Sequence, residues 1–375
     1  MARNRVIYQS EALYVSEDID STAKTQHEQL ERVQSANYSF TINRQDINQY
    51  GQLARIDSIV LDPPTASLDF SYYLTDGFNE RALGFYVQHN AVGLSGEGQF
   101  ASGHMVNNSG KNFFISTVAE GSDAIDVNGG NIDSVIGLGN GFLSDYTLDL
   151  AVGSLPTVSV TMECANITAD KGFSGDATDI SGVNNPAVSL TDGTPKSGEL
   201  CVLPVADTGE SNITALRPGD VTIDISNLDG STLTDISGAT DTASVHIQSA
   251  SLSIPLSRSE LQRLGTRFPY SRSVDFPVNA TLSVNGIVNE VTEANLATII
   301  DDNSTKTVTL TIKDTARANR MVYTLKGCKI DSESFSSSIG SNKTVDLTFS
   351  TQIGGIGDTD NGVFVSGANF DTIFS

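Results

Sequence analysis

Few segments of the sequence combine the residue types and the spacing that catalysis needs. Residues 93–97 read GLSGE, which begins like the nucleophile elbow of α/β-hydrolases but lacks its final glycine. Gly110 and Lys111 are followed by Asn112, where a phosphate-binding loop needs Ser or Thr, and Met105 replaces its upstream glycine. We therefore expect no catalytic residues and a protein that is not an enzyme.

Possible metal ligands are scattered along the chain. The four histidines lack the mutual spacing of a metal site: His27, His89, His104 and His246. Residues 358–362, DTDNG, place carboxylates at alternate positions, where they could converge on a calcium ion. An EF-hand loop also requires a third ligand before its glycine and a later Glu, and both are missing. We expect a solvated turn at 358–362, with no metal site and no cofactor.

Composition excludes several classes of protein. The chain has 22 basic and 45 acidic residues and a net charge of −23, which argues against binding nucleic acid by neutralising phosphates and against docking on anionic lipid. No apolar run is long enough for a membrane span or a signal peptide, so we expect no membrane partner. Cys164, Cys201 and Cys328 lie far apart, as expected for buried, reduced thiols.

An internal repeat is the main pattern in the sequence. The segment VQSA at 33–36 recurs as IQSA at 247–250, which is an offset of 214 in the numbering. The match continues without a gap through seven further identities: Ser39/Ser253, Arg44/Arg258, Gly51/Gly265, Val60/Val274, Pro63/Pro277, Ala66/Ala280 and Leu68/Leu282. Such self-similarity at a long period predicts a duplicated structural unit.

A second block of the repeat has a smaller offset, 187 in the numbering. Residues 152–154 recur at 339–341, and Thr157, Val158 and Thr161 recur at 344, 345 and 348. The offsets differ by 27, so the first copy carries about that many additional residues. We place them in the Gly-, Asn- and Ser-rich stretches 92–111 or 119–141.

Apolar and polar residues alternate in both copies, as in half-buried strands. Examples are 38–42, 66–74 and 157–162 in the first copy and 280–284, 308–312 and 344–349 in the second. Each copy also has one helical candidate, at 79–87 and after Thr292. Pro255 cannot donate to a neighbouring strand, so its strand should be an edge or be bulged there. The fold class is therefore mainly β: two tandem β-sandwich units, each with one flanking helix, plus an inserted β-rich module.

The repeat and local composition divide the chain into five segments. They are an N-terminal arm at 1–32 with a short helical candidate at 25–32, the first unit at 33–167, an acidic insert or accessory module at 168–245, the second unit at 246–354 and a C-terminal tail at 355–375. The arm and the tail would be disordered unless something holds them.

The opening of each unit resembles a known family. Residues 33–44, VQSANYSFTINR, with Tyr50 and Gly51 after them, resemble the opening hairpin of the major tail tube proteins of tailed bacteriophages. Residues 146–152 and 157–162 are similar to the closing hairpin of that family. The second unit matches best at Arg258, at Gly265 and in 344–349.

This resemblance implies a structural virion protein. Tube proteins are β-sandwiches whose sheets join edge to edge into a closed barrel, and their rings stack around a DNA-conducting channel. Two units in one chain imply a homotrimer that forms a pseudo-hexameric ring. An acidic lumen would let DNA pass during ejection without specific binding, and the additional residues of the first unit would contact the next ring. Other implied partners are tail terminator, baseplate or tape-measure proteins, and the implied location is the virion tail, after assembly in the host cytoplasm.

Two other classes of function fit parts of the sequence. A capsid decoration protein or surface adhesin of β-sandwich type would use 168–245 as its binding module. A carbohydrate-active enzyme is disfavoured because the chain has no Trp, while sugar-binding surfaces favour aromatic residues. A glycosidase would also need an acid and a base held close together, which the sequence alone does not place.

Overall fold

Strands dominate the part of the chain that the computed structural model describes. That part comprises residues 11–89, 98–106, 110–118, 122–124, 132–171, 173, 179–189, 192–196, 198–206, 221–226, 236–237, 245–266, 268–288, 305–313 and 319–368. The chain is mainly β, as the alternating pattern predicts. No helix within these residues is long and apolar enough to cross a membrane.

Each half of the chain contributes a similar series of strands. Those of the first half and the hairpin that follows it are β1 (Glu11–Ser16), β2 (His27–Gln29), β3 (Val33–Thr41), β4 (Arg44–Ile47), β5 (Asp57–Val60), β6 (Thr65–Tyr73), β7 (Gln88–His89), β8 (Lys111–Val118), β9 (Ile132–Ala151), β10 (Thr157–Cys164), β11 (Asn166–Lys171), β12 (Asp179–Asn184) and β13 (Leu200–Pro204). Those of the second half are β14 (Val221–Ser226), β15 (Ile236–Ser237), β16 (Val245–Pro255), β17 (Arg258–Leu261), β18 (Ser271–Val274), β19 (Val278–Val288), β20 (Lys306–Lys313), β21 (Asn319–Ser336), β22 (Thr344–Ile353) and β23 (Gly362–Gly367). The helices of the described residues are α1 (Phe78–Leu83), α2 (Ser102–Val106) and a 3₁₀ turn at Lys24–Gln26.

Three sheets are built from these strands. The central sheet has the order β3-β6-β10-β9-β16-β19-β22-β21. The first outer sheet has the order β2-β1-β8-β9-β11, and the second has the order β15-β14-β20-β21-β23-β7. The long strands β9 and β21 each belong to the central sheet and to one outer sheet. Two further hairpins, β4–β5 and β17–β18, project from the central sheet.

The core lies between the central sheet and the two outer sheets, because only one face of the central strands is apolar. In β6, for example, Leu68, Phe70 and Tyr72 are buried, and polar residues alternate with them. Alternation of this kind turns every second side chain to the same face. One hydrophobic cluster runs through both halves, so they share a continuous core.

The two halves pair their strands in the same register. The strands β1, β3, β4, β5, β6, β8, β9, β10 and β11 correspond in order to β14, β16, β17, β18, β19, β20, β21, β22 and β23. For instance, Ala36 pairs with Phe70, and their counterparts at the first offset, Ala250 and Val284, pair likewise. Thr157 pairs with Asp149, and their counterparts at the second offset, Thr344 and Ser336, pair likewise.

Irregularities in the strands recur at the same places. The β3–β6 register shifts between Val33 and Ser35, and the β16–β19 register shifts between Ile247 and Ser249. The long strands each leave one residue without a partner on the neighbouring strand, Ser144 opposite β10 and Asp331 opposite β22. The central sheet consists of two four-strand sets, β3-β6-β10-β9 and β16-β19-β22-β21. Bulges change the direction of a strand locally, so shared bulges mean that the two sets follow the same path.

The register also locates the additional residues of the first half. Corresponding residues are 214 apart in β6, 195 apart in β8 and 187 apart in β9. Hence 19 of the additional residues lie between β6 and β8, and 8 lie between β8 and β9. The described part of the longer insertion packs within the chain: Phe100 donates its backbone N–H to Val363 O, and β7 pairs with β23. The expected contact of the insertion with a stacked ring stays a prediction.

Other sequence-based expectations have mixed outcomes. The first helical candidate is present as α1, which ends at Gly84 in a left-handed conformation. The candidate after Thr292 lies outside the described residues. The candidate at 25–32 is instead a 3₁₀ turn followed by β2.

Strands from different predicted segments pair with one another in the outer sheets. The arm contributes β1 and β2 to the first outer sheet, 168–245 contributes β11 and β14 to the two outer sheets, and the tail contributes β23 to the second. The remaining hairpin of 168–245, β12–β13, packs its Ile180, Val183, Cys201 and Leu203 against the first outer sheet.

Each long strand turns the corner between its two sheets at a residue with positive φ. This residue is Asn140 in β9 (φ 52°) and its counterpart Gly327 in β21 (φ 69°). Asn and Gly are the residues that tolerate this conformation best. The buried Asn140 side chain also donates to Val188 O (3.1 Å) and accepts from Val188 N–H (2.7 Å).

We expect Asn140→Ala to lower the free energy of unfolding by about 2–4 kcal/mol, because it strains the backbone and leaves Val188 without its side-chain partner. Asn140→Gly should cost about 1 kcal/mol less, since glycine relieves the backbone strain. Urea unfolding of the three proteins measures both differences. Equal stability of the Ala and Gly variants would contradict the strain at this corner.

Candidate assembly interface

The central sheet ends in two open edges. In the described part of the chain, neither β3 nor the C-terminal part of β21, residues 329–336, has a strand on its outer side. An open edge presents unpaired backbone N–H and C=O groups to any strand that can align with it. These two edges are therefore candidate contact surfaces.

The β3 edge also exposes apolar side chains. Tyr38 is 46% exposed and Phe40 is 61% exposed, whereas their counterparts in β16, Leu252 and Ile254, are 1% and 0% exposed. On the other open edge, Phe335 is 38% exposed, whereas its counterpart Leu148 is buried. The same positions of the repeat are thus covered in the middle of the sheet and uncovered at its ends.

In the middle of the sheet, these positions are buried where the two halves meet, at the pairing of β9 with β16, which we call the joint. There β9 pairs antiparallel with β16, from Ser249 opposite Ala151 to Pro255 opposite Asp145. Leu148 lies opposite Leu252 in this joint. The last strand of one four-strand set meets the first strand of the next, so the joint is heterologous: it uses two different surfaces and leaves one of each kind open at the ends of the chain.

A hairpin braces this joint. Arg258 at the start of β17 donates from Nε to Leu143 O (3.3 Å) and from Nη2 to His104 O (3.1 Å), both in the first half. Arg258 and Arg272 also lie over the Phe142 ring, with guanidinium carbons 5.1 and 5.7 Å from its centre. Burial lowers the pKa of Arg258 to about 10, which still leaves it charged at neutral pH.

The matching hairpin of the first half lies open. In β4, Arg44 corresponds to Arg258 and is exposed. Beyond it, the hairpin tip carries fully exposed Tyr50 and Leu53. The first half thus has a hairpin that corresponds to the brace of the second half, but among the described residues it lies exposed.

A buried carboxyl lies beneath the joint and links both halves. Tyr72 donates to Glu80 Oε1 at 2.9 Å, and Tyr146 donates to the same oxygen at 3.4 Å. The Tyr146 hydroxyl also pairs with that of Tyr323 in the second half at 3.0 Å. Burial raises the pKa of Glu80 from 4.5 to about 7, and the tyrosine hydrogen bonds only partly oppose this rise.

The face of the central sheet that points away from the core is covered by hydroxyl, amide and carboxylate groups. Carboxylates on it accept hydrogen bonds from the next strand: Asp69 from Thr161 at 2.8 Å, Asp149 from Ser251 at 2.6 Å and Asp346 from Asn285 at 2.6 Å. Among the described residues of the eight central strands, Lys329 is the one lysine or arginine on this face, and Arg272 of β18 lies 4.0 Å from Glu163 at its border. We call this surface the polar face.

Residues 93–97 lie outside the described residues, and Lys111 and the turn at 358–362 have structural roles. Buried Lys111 donates from Nζ to Glu17 O (2.8 Å) and Ser16 O (3.2 Å), and burial lowers its pKa to about 8. In 358–362, Asp358 accepts from the backbone N–H groups of Asp360 and Asn361, which lower its pKa and close a turn. The described residues contain no cluster of three or more His, Cys, Asp or Glu side chains that could hold a metal ion.

His27, His104 and the three cysteines are packed into the core, whereas His89 is half-buried and His246 is exposed. Burial lowers the pKa of His104 to about 3, helped by the nearby charges of Arg258 and Lys111. His27 lies edge-on to Phe114, and burial lowers its pKa. Burial raises the pKa of all three cysteine thiols to about 12: Cys164, Cys201 and Cys328.

The Glu80 cluster makes stability depend on pH. The pKa of Glu80 is higher in the folded state than in the unfolded state. Glu80 therefore stabilises the folded state fully below pH 4.5, and this contribution is lost as the pH rises through 7. We expect the wild type, compared with Glu80→Gln, to lose about 3 kcal/mol of unfolding free energy between pH 4.5 and pH 8.5. The other titrating groups are common to both proteins, so the difference between their urea unfolding curves isolates Glu80. Parallel pH profiles would contradict the raised pKa.

Comparisons with known proteins do not identify a family for this chain. No family model matches the chain, and no curated protein matches it. Among solved structures, a chain from the cryo-EM structure of the anti-feeding prophage (AFP) baseplate, 6-fold symmetrised, is similar, with 13% identity and a TM-score of 0.26 over 40% of this chain and 93% of that one. A likeness at that TM-score carries no argument about the fold or the function of this chain.

Proposed function

We propose that this protein is a self-assembling structural component of a bacteriophage-type tail, and specifically its major tail tube protein. Three copies form a ring, and the central sheets of these copies join into one closed barrel around a DNA channel. The observation that carries the proposal is the joint between β9 and β16, whose two surfaces recur, uncovered, at the ends of the central sheet.

Assembly follows from the heterologous nature of this joint. A contact between two different surfaces repeats from copy to copy, and it makes a ring when the rotation closes. Closure would satisfy the open edges of β3 and β21, which otherwise invite aggregation. It would also cover Tyr38, Phe40 and Phe335, as their counterparts are covered within the chain.

The number of copies comes from the family resemblance together with the two halves. Six positions around a ring are filled by three chains of two halves each. Eight central strands per chain then give a barrel of twenty-four strands. With strands about 4.8 Å apart and tilted by about 40°, such a barrel is roughly 45–50 Å across at the backbone. This leaves an open channel, because barrels of far fewer strands already enclose water-filled pores.

The polar face supports the role of the channel wall. The core occupies the other side of the central sheet, so closure puts the polar face in the lumen. There Asp69, Asp145, Asp149 and Asp346 outnumber Lys329, while Glu163 is paired with Arg272. Such a wall repels phosphates and lets DNA slide without specific binding, the converse of counterion release.

This function needs no catalysis, cofactor or metal. The protein acts in the virion tail, after assembly in the host cytoplasm, and it contacts tail terminator, baseplate or tape-measure proteins as well as itself. No membrane is involved. These elements of the proposal rest on the resemblance of 33–44 and 146–162 to the tube family.

Particle mass and shape test the proposal. Three chains of 39.7 kDa give rings of about 119 kDa, which native mass spectrometry detects. Negative-stain microscopy should show rings or hollow tubes with an axial pore. Discrete monomers or knobs at all concentrations would contradict the tube and favour a decoration protein or adhesin.

An edge variant tests the site itself. We expect the double substitution Tyr38→Lys and Phe40→Lys to raise the concentration needed for ring formation at least tenfold, because the joint would bury two charges. The matched control places lysines at Ser159 and Ser283, exposed on the polar face away from both edges. Circular dichroism checks that both variants fold. Unchanged assembly of the edge variant would rule out β3 as a contact.

A further inference from the structure

We propose that the joint between copies has a defined register, in which β3 of one copy pairs antiparallel with β21 of the next and places Tyr38 opposite Phe335. This inference rests on the proposed function, because it assumes that copies join through their open edges. Beyond the proposed function, it specifies which residues of the two copies are paired and assigns the β4–β5 hairpin a contact with the next copy. It also states how the joint between copies differs from the joint within the chain.

The register follows from the joint within the chain. In that joint Leu252 lies opposite Leu148, and Ser253 lies opposite Thr147. By the two offsets of the repeat, Leu252 is the counterpart of Tyr38, and Leu148 is the counterpart of Phe335. The same rule pairs Ser39 with Ser334. These offsets are reliable guides because the two halves keep the same register, and even the same bulges, in the strands that flank the joint.

The side chains of the two open edges fit this register. Tyr38 and Phe335 are both large, aromatic and partly exposed, and both lie on the core side of the central sheet. Aromatic pairs across strands are favourable contacts. A slip of one residue would turn each aromatic side chain against a residue that points to the polar face.

The hairpin supplies a second contact in the same geometry. Arg258 reaches Leu143 O across the joint within the chain. Its counterpart Arg44 would reach the main-chain oxygen of Ile330 in the next copy, since Ile330 is the counterpart of Leu143. This assigns exposed Arg44 the role of a positioning residue for assembly.

The two joints differ in what fills them. The joint within the chain pairs leucines and rests on the Phe142 ring beneath Arg258. The counterpart of Phe142 is Lys329, so the joint between copies lacks that ring under its arginine. The joint between copies should therefore be the weaker of the two, and dissociation of a ring should yield intact chains.

Engineered cysteines test the register. Residues directly opposite in antiparallel strands have Cα atoms about 4.5–5.5 Å apart, within the range of a disulfide. Ser39→Cys with Ser334→Cys should give covalent dimers and trimers in non-reducing electrophoresis after mild oxidation. The slipped pairs Ser39→Cys with Ser332→Cys, and Ser39→Cys with Ser336→Cys, should cross-link at least tenfold less. The three native cysteines are buried and should give little background.

The outcomes separate this inference from the function on which it rests. Rings that form without oxidant but cross-link best through a slipped pair would overturn the register alone. Absence of any particle larger than one chain would overturn the proposed function as well. Single-cysteine variants show how much covalent product comes from random collision.

Matched arginine variants give a second readout. Arg44→Ala should raise the concentration needed for ring formation at least tenfold and leave the urea midpoint of the single chain unchanged. Arg258→Ala should lower the urea midpoint, because its contacts lie within the chain. A lowered midpoint in Arg44→Ala with normal assembly would refute the role of Arg44.

Discussion

Backbone hydrogen bonding across the β9–β16 joint is the interaction on which the rest of the structure depends. A strand edge left in water costs little, but an edge covered by apolar side chains must be paired, because buried N–H and C=O groups without partners are costly. In this chain one pair of edges meets in the middle, and Leu148, Leu252 and Ile254 can then be buried. The shared core, the bracing hairpin and the Glu80 cluster are all arranged around that contact.

The long strands explain how so wide a sheet is stabilised. The central sheet has one polar face, so it depends on the outer sheets to cover the other. The strands β9 and β21 each continue from the central sheet into an outer sheet. Each outer sheet is therefore connected to the central sheet that it covers by a continuous strand. Asn140 and Gly327 make the required turn, and their shared conformation at equivalent positions is a local sign of the repeat.

Much of the central sheet was predictable from the sequence, because its cause is local. Alternation in 66–74 or 344–349 reports directly which face is buried, and the offsets of 214 and 187 match the strand registers residue by residue. Pro255 was expected at an edge or a bulge. It lies instead at the end of the interior strand β16, beyond the last residue that pairs with β19. At Pro255 only β9 is a neighbouring strand, so no hydrogen bond to β19 is lost.

The outer sheets are less predictable, because their short strands pair with partners that are distant in sequence. β14 and β23 carry buried apolar residues, such as Ile223 and Val363, but local alternation does not show which strand each one joins. The Glu80 cluster also escaped sequence analysis. Its members, Tyr72, Glu80, Tyr146 and Tyr323, come from distant parts of the chain, and nothing in their spacing brings them together.

The joint within the chain has a kinetic and evolutionary consequence. Two halves on one polypeptide are held at a high effective concentration, so this seam forms during folding and never has to be found by diffusion. In the proposed ring, the joint between copies would have to form by collision of separate chains, and its Tyr38 and Phe335 stand where the joint within the chain has leucines. Substitutions at these two residues would then change the strength of assembly without changing the joint that forms during folding.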